Sequence, residues 1–149
     1  MGDILKQLKQ NDHVVKMKDY VQHKDVTTYE HCFHVADIAT KIDSKFNLNS
    51  NLDVLHMSCV LHDFYLYDWH DDTLIKKPSK WHGFSHPKKA MDNADYYFDV
   101  SDDVKNAIKS HMWPLTIWSI PKSKEAWIVC LADKIATVTE VLSKKNANK

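Results

Sequence analysis

Val60-Leu61-His62-Asp63 closes an apolar run (Val54, Leu55, Met57, Cys59) and sets an imidazole and a carboxylate where hydrocarbon surroundings end. Buried polar groups need partners, and each one left without costs about 1–3 kcal/mol. A divalent cation suits this pair, because neutral imidazole and carboxylate both ligate zinc, manganese or iron. A lone His-Asp dipeptide says little. Its weight comes from four other segments that offer candidate ligands at matching helical positions.

The chain has 149 residues, enough for a single domain with a real core. Formal net charge is zero, so nothing in the composition draws it to a nucleic acid polymer or an anionic membrane. All the basic residues are Lys and Arg is absent. Phosphate recognition therefore falls to Lys, backbone amides or metal, without the bidentate guanidinium fork. No apolar run approaches the roughly 18 residues of a membrane span, and Met1 to Lys6 lacks the basic and apolar regions of a signal peptide. Cys32, Cys59 and Cys130 are odd in number, widely spaced and set in apolar patterns. They read as reduced thiols of a cytoplasmic protein. Ten His is an excess that asks for an explanation.

Periodicity predicts an all-α bundle of about six helices. Helix 1 covers about 3–22, with a break near Asn11-Asp12, and helix 2 about 29–46 behind a Thr27 or Thr28 cap. Helix 3 covers about 52–62. Helix 4 starts near 86 with Pro87 in its first turn, and helix 5 covers about 101–112 with Ser101 as cap. Helix 6 runs from about 123 to 143 with Ser123 as cap, followed by a polar tail, 144–149, that frays. The segment 64–82 is aromatic, acidic and aperiodic, and reads as a long active-site loop.

The inner stripes of these helices carry polar residues. His31 opens helix 2, His62 and Asp63 close helix 3, His86 opens helix 4, His111 closes helix 5, and Asp133 lies mid-helix 6 on the face of Cys130, Ala136 and Glu140. A carboxylate on a small, apolar face is costly unless paired or ligated. Facing helices that point carboxylate and imidazole inward are how metal centres are built in bundles.

This pattern resembles the HD-domain superfamily of metal-dependent phosphohydrolases. The resemblance covers about 31–140, within a single domain spanning 1–149 whose motif-bearing core is about 29–142. His31-Cys32-Phe33-His34-Val35-Ala36 looks like that superfamily's first-His helix, Leu61-His62-Asp63 like its name motif, and Ala132-Asp133-Lys134 like its final-Asp helix. The resemblance implies a mononuclear site of His31, His62, Asp63 and Asp133. By the same likeness, His86 and His111 would hold a second ion with Asp63 bridging the pair. The cofactors implied are divalent ions, two rather than one, of manganese, iron, zinc, magnesium or nickel. Phe64-Tyr65-Leu66-Tyr67 replaces the Gly and Lys that follow the His-Asp pair in nucleotide-hydrolysing branches. No Gly-Tyr-Pro triplet marks the cyclic-di-GMP branch. Trp81-His82-Gly83 and His111-Met112-Trp113-Pro114 look closer to a group of small bacterial HD proteins.

The expected reaction is hydrolysis of a small phosphomonoester, nucleotide or phosphodiester by a metal-activated hydroxide, with His62 and Asp63 at its centre. His82, His34, and Lys88 or Lys89 are candidates to protonate the leaving group or hold substrate phosphate. Tyr65, Tyr67, Trp69 and Trp81 either stack on a base or pack the loop, packing being favoured. His13, His23, His56 and His70 read as background, with His56 bonding locally. Two rivals remain: a mixed-valence di-iron HD oxygenase with the same ligand order, and a non-catalytic metal- or ligand-binding module. The sequence does not fix the oligomeric state.

Overall fold

The computed structural model describes residues 3–66 and 82–147. The helices are α1 (Asp3–Gln10), α2 (Asp12–Val15), α3 (Thr28–Lys45), α4 (Leu52–Leu61), α5 (His82–Phe98), α6 (Asp102–Ser110) and α7 (Lys124–Ala147). A 3₁₀ turn, Lys16–Asp19, and a small hairpin of β1 (Val21–His23) and β2 (Val26–Thr27) link α2 to α3. The architecture is all-α, as the sequence predicts.

Local chemistry sets most helix starts. Thr27 caps α3 in a full capping box: its hydroxyl accepts from the Glu30 amide while the Glu30 carboxylate accepts from the Thr27 amide. Asn51 caps α4, and Ser101 caps α6 by accepting from the Val104 amide. Ser123 accepts from the Ala126 amide at the start of α7.

The helix expected over 3–22 is three short pieces and a strand. Asn11 breaks it, its side chain capping α2 by accepting from the amides of His13 and Val14. The chain then turns through Lys24 at φ 52° into β2. Strands of three and two residues are too short to leave a period-two signal. Helix α5 starts four residues before the expected His86, which puts Pro87 inside it, beyond the first turn. Helix α7 continues to Ala147, past the expected end at 143. Most of the expected 64–82 loop, with Tyr67, Trp69, His70 and Trp81, lies outside the described residues.

Helix α4 is the centre of the bundle and packs against α1, α3, α5, α6 and α7. Its Leu55, Cys59, Val60 and Leu61 are fully buried, each large aliphatic contributing about 1.5–3 kcal/mol by leaving water. Cys32, Cys59 and Cys130 are all buried free thiols, and burial pushes the Cys59 thiol up to about 12. Because α4 ends inside the protein, the residues next in the chain after Leu61 are delivered to the middle of the bundle.

Candidate metal centre

Those next residues are His62 and Asp63, and both are buried. His62 is the C-cap residue of α4, and its Nδ1–H donates to the Cys59 carbonyl at 2.7 Å. His111 repeats the arrangement at the end of α6, its Nδ1–H donating to the Ile108 carbonyl at 2.6 Å. The last carbonyls of a helix have no partner within it, so each imidazole satisfies one. With hydrogen on Nδ1, each ring points its Nε2 at the centre of the protein, where it offers a lone pair whenever the ring is neutral.

Around those lone pairs stand the other expected ligands. His31 Nε2 lies 3.0 Å from Asp133 Oδ1 and 3.8 Å from Asp63 Oδ2. His62 Nε2 lies 3.4 Å from Asp133 Oδ1 and 3.3 Å from Asp63 Oδ2. On the other side of Asp63, its Oδ1 is 3.1 Å from His86 Nε2 and 3.4 Å from His111 Nε2, and those two nitrogens are 3.0 Å apart. The two oxygens of one carboxylate thus face two separate groups of nitrogens. Candidate ligand atoms of His31, His62, Asp63 and Asp133 form one compact group, and those of Asp63, His86 and His111 another. All six residues that the sequence nominates come together, although they are spread over five helical segments and 103 positions of chain.

The electrostatics show how little this cluster resembles an ordinary core. Burial works against charge on Asp63, yet the positive charge favoured on His62 and the close imidazoles of His111, His62 and His86 hold its carboxyl well below the usual range. Asp133 is also held low, against burial, by His31 and His62. Burial alone would lower His31, but bonds to Asp133 and Glu140 overcome it and raise the imidazole to about 10. His62 is raised as well, the Asp63 charge outweighing burial. His111 is lowered by burial. The anionic group therefore raises the proton affinity of His31 and His62, and a divalent cation bound there would take the place of those protons.

The donor set passes a direct test of fit. His62 Nε2 and Asp63 Oδ1 are buried and have no hydrogen-bond partner among the described residues. Both belong to the cluster, one to each group, and a cation would satisfy them. His86 Nε2 donates to His111 Nε2 at 3.0 Å, the latter being an acceptor because its hydrogen is on Nδ1, and both nitrogens lie in one compact group with an Asp63 oxygen.

Three functional neighbours were not singled out by the sequence. Glu140, two turns beyond Asp133 on α7, accepts from His31 Nδ1 at 3.0 Å, His34 Nδ1 at 2.7 Å and His23 Nε2 at 2.5 Å. Bonds to His31, His34 and His23 outweigh its burial and hold it at about 2. His23, expected to be background, is therefore part of the surroundings of the centre. Gln22 donates to Asp63 Oδ2 at 2.8 Å and accepts from the Tyr65 hydroxyl at 2.9 Å. Only the placement of Glu140 on the Asp133 face was visible beforehand; Gln22 and His23 arrive through the hairpin.

Of the remaining nominations, those with described side chains fall outside the cluster. Lys88 is exposed and pairs with Asp92 one turn along α5 at 2.7 Å. His82 opens α5, and its side chain is outside the described residues. His34 is half-exposed beside Glu140. Tyr65 is buried and packs edge-on to His86, so the packing role holds for it. His56 bonds across helices to Thr40 of α3 at 2.8 Å rather than locally, because α3 and α4 pack face to face there.

A pocket of about 380 Å³ opens onto Asp63, His86, His111 and Asp133, with Gln22, His23, Gly83, Met112, Thr137 and Val141 completing its wall. Comparison with known families finds the HD-domain model matching residues 28–138. The chain belongs to the HD-domain family. Most members of that family are metal-dependent hydrolases. The matched span begins at the first residue of α3 and includes all six clustered residues as well as the His-Asp pair that names the family. No curated protein and no solved structure matches the chain. No helix among the described residues is long and apolar enough to cross a membrane.

Proposed function

We propose that this HD domain is a phosphohydrolase that uses two divalent cations, one at His31, His62, Asp63 and Asp133 and one at Asp63, His86 and His111. The observation that carries the reading is the division of Asp63, whose Oδ2 faces one set of imidazoles and whose Oδ1 faces the other. Bound there, two cations supply Lewis acidity, which acidifies water and offsets charge on phosphoryl oxygens.

The chain's own residues do the rest. Gln22 holds Asp63 by its Oδ2, and the Tyr65 hydroxyl holds Gln22 in turn. Glu140 stays ionised and accepts from His23 Nε2, which holds the His23 ring in the wall of the pocket. Met112 and Val141 give the pocket an apolar rim that limits water.

No lysine lines the pocket among the described residues. The nearby Lys134 ammonium donates instead to the carbonyls of His111 and Cys130. Among the described residues, charge on a substrate would then be met by the cations rather than by lysine. This favours one phosphate with a largely neutral remainder over a polyphosphate. The same set of imidazoles and carboxylates also suits iron, which supports one second reading, a mixed-valence di-iron oxygenase acting on a small molecule.

The test is metal content per chain of untagged protein purified anaerobically, followed by a panel of phosphoesters. Two ions of manganese, zinc or iron with phosphate release support the proposal. Two irons with O₂ consumption, an EPR signal and no phosphate release would transfer it to the oxygenase. A metal-free protein after reconstitution would overturn both.

A further inference from the structure

Helix α7 is apolar on two sides. Its inner face carries Ala126, Val129, Ala132 and Ala136 into the core. Its outer face carries Trp127, Leu131, Ile135, Val138 and Leu142, which are 44%, 51%, 37%, 55% and 52% exposed. At 3.6 residues per turn these five fall within an arc of about 80°. Leu131, Ile135, Val138 and Leu142 are spaced four, three and four apart, the spacing of a helix–helix seam. A helix that is apolar all round is normally buried on all sides.

Two lysines beside the stripe are turned to their own chain. Lys124 donates its ammonium to the carbonyls of Leu48 and Asn49, at 3.0 and 2.8 Å. Lys134 likewise turns to His111 and Cys130 of its own chain. Beside the stripe, a groove of about 450 Å³ between Phe46, Trp113, Pro114, Trp127 and Leu131 extends the apolar surface.

We propose that the outer face of α7 is the seam of a homodimer, with two copies of the helix packed antiparallel across a two-fold axis. The helix spacing and the area support a second copy as the occupant. Summed over the stripe, Phe46 and Leu115, the exposed apolar area is on the order of 600 Å², at the upper limit for a monomer's largest patch. It also exceeds the apolar share, about 500 Å², of the roughly 800 Å² each partner contributes to a standard interface. A two-fold contact sets a surface against itself. Lys124 and Lys134, tied to their own chain, add little like-charge repulsion to such a contact. An antiparallel register centred between Lys134 and Ile135 sets Leu131 against the partner's Val138 and Trp127 against the partner's Leu142.

The test is mass in solution by light scattering of the full chain at tens of micromolar. A mass about twice 17.4 kDa is expected for the parent, falling to about 17.4 kDa in a Leu131→Glu, Val138→Glu variant with unchanged far-UV circular dichroism. Ile135→Cys provides a milder check, since a residue near the axis should form a disulfide-linked dimer on gentle oxidation. The parent, whose three thiols are buried, should not. A monomeric parent would overturn the proposal and assign the face to another occupant. A dimer that survives the double substitution, with the Ile135→Cys variant remaining unlinked on oxidation, would also overturn it by placing the interface elsewhere.

Discussion

The two halves of the centre share Asp63 and little else. Around Asp63 Oδ2 stand a second carboxylate, Asp133, and His31, whose far nitrogen is held by Glu140. Protons are bound tightly there, with His31 raised to about 10. Around Asp63 Oδ1 stand two imidazoles, and burial keeps His111 on the neutral side. The first half has charge enough to displace protons and hold a cation firmly. The second has lone pairs ready but only a shared charge. The halves should therefore differ in affinity, in pH response and in sensitivity to their surroundings.

Removing the shared group should have the largest effect. Asp63→Ala is expected to take metal content from two ions to none and to abolish turnover, as read by elemental analysis and the phosphoester panel. Retention of a full ion in that variant would break the picture of a common carboxylate. Next in size is the His86→Ala, His111→Ala pair. It should empty the second half only, leaving one ion held with near-parental affinity.

Glu140→Gln keeps the shape of the His31 contact but removes its charge. Supporting groups of this kind are worth about 10–100-fold in metal affinity, so isothermal titration should show that loss in the first half alone. Equal losses in both halves would mean that Glu140 acts on the fold.

The pH response sharpens the contrast further. Without metal, the bonds of protonated His31 stabilise the fold fully below its ordinary 6.5 and are lost as pH climbs through about 10. Glu140 works in the opposite direction, stabilising above its ordinary 4.5 and losing that contribution as pH falls towards about 2. A cation must displace the His31 proton. Affinity of the first half should therefore rise about tenfold per pH unit, for each proton released, between about pH 6 and 8. The second half, with His111 already neutral, should change far less. The smallest effect should come from Lys88→Ala, which removes an exposed pair worth about 0.3–0.5 kcal/mol and should leave metal loading unchanged.

The sequence was most legible where chemistry is local. Thr27, Asn51, Ser101 and Ser123 each carry a side chain that caps the following amides, so those helix starts were close. The six clustered residues were legible because each lies on a core-facing stripe or at a helix end, where its type is conspicuous. Glu140 escaped because an acidic residue near the end of a long helix is ordinary by itself. Its three imidazole partners come from β1 and α3, more than 100 positions earlier. Gln22 and His23 escaped for a different reason: an apolar period running to Val21 concealed the hairpin that carries them. Pro87 set the expected start of α5 too late, because a residue before proline tends to leave helical geometry.

The bonds from His62 and His111 to Cys59 and Ile108 have a consequence for how such a centre can be altered. Both imidazoles take their aim from main-chain carbonyls, which every substitution except one that breaks the helix leaves in place. His31 takes its aim from Glu140, a side chain that one mutation can lengthen, shorten or neutralise. Of these three imidazoles only His31 has an aim that a single side chain sets, and a search for variants with altered metal preference should begin at position 140.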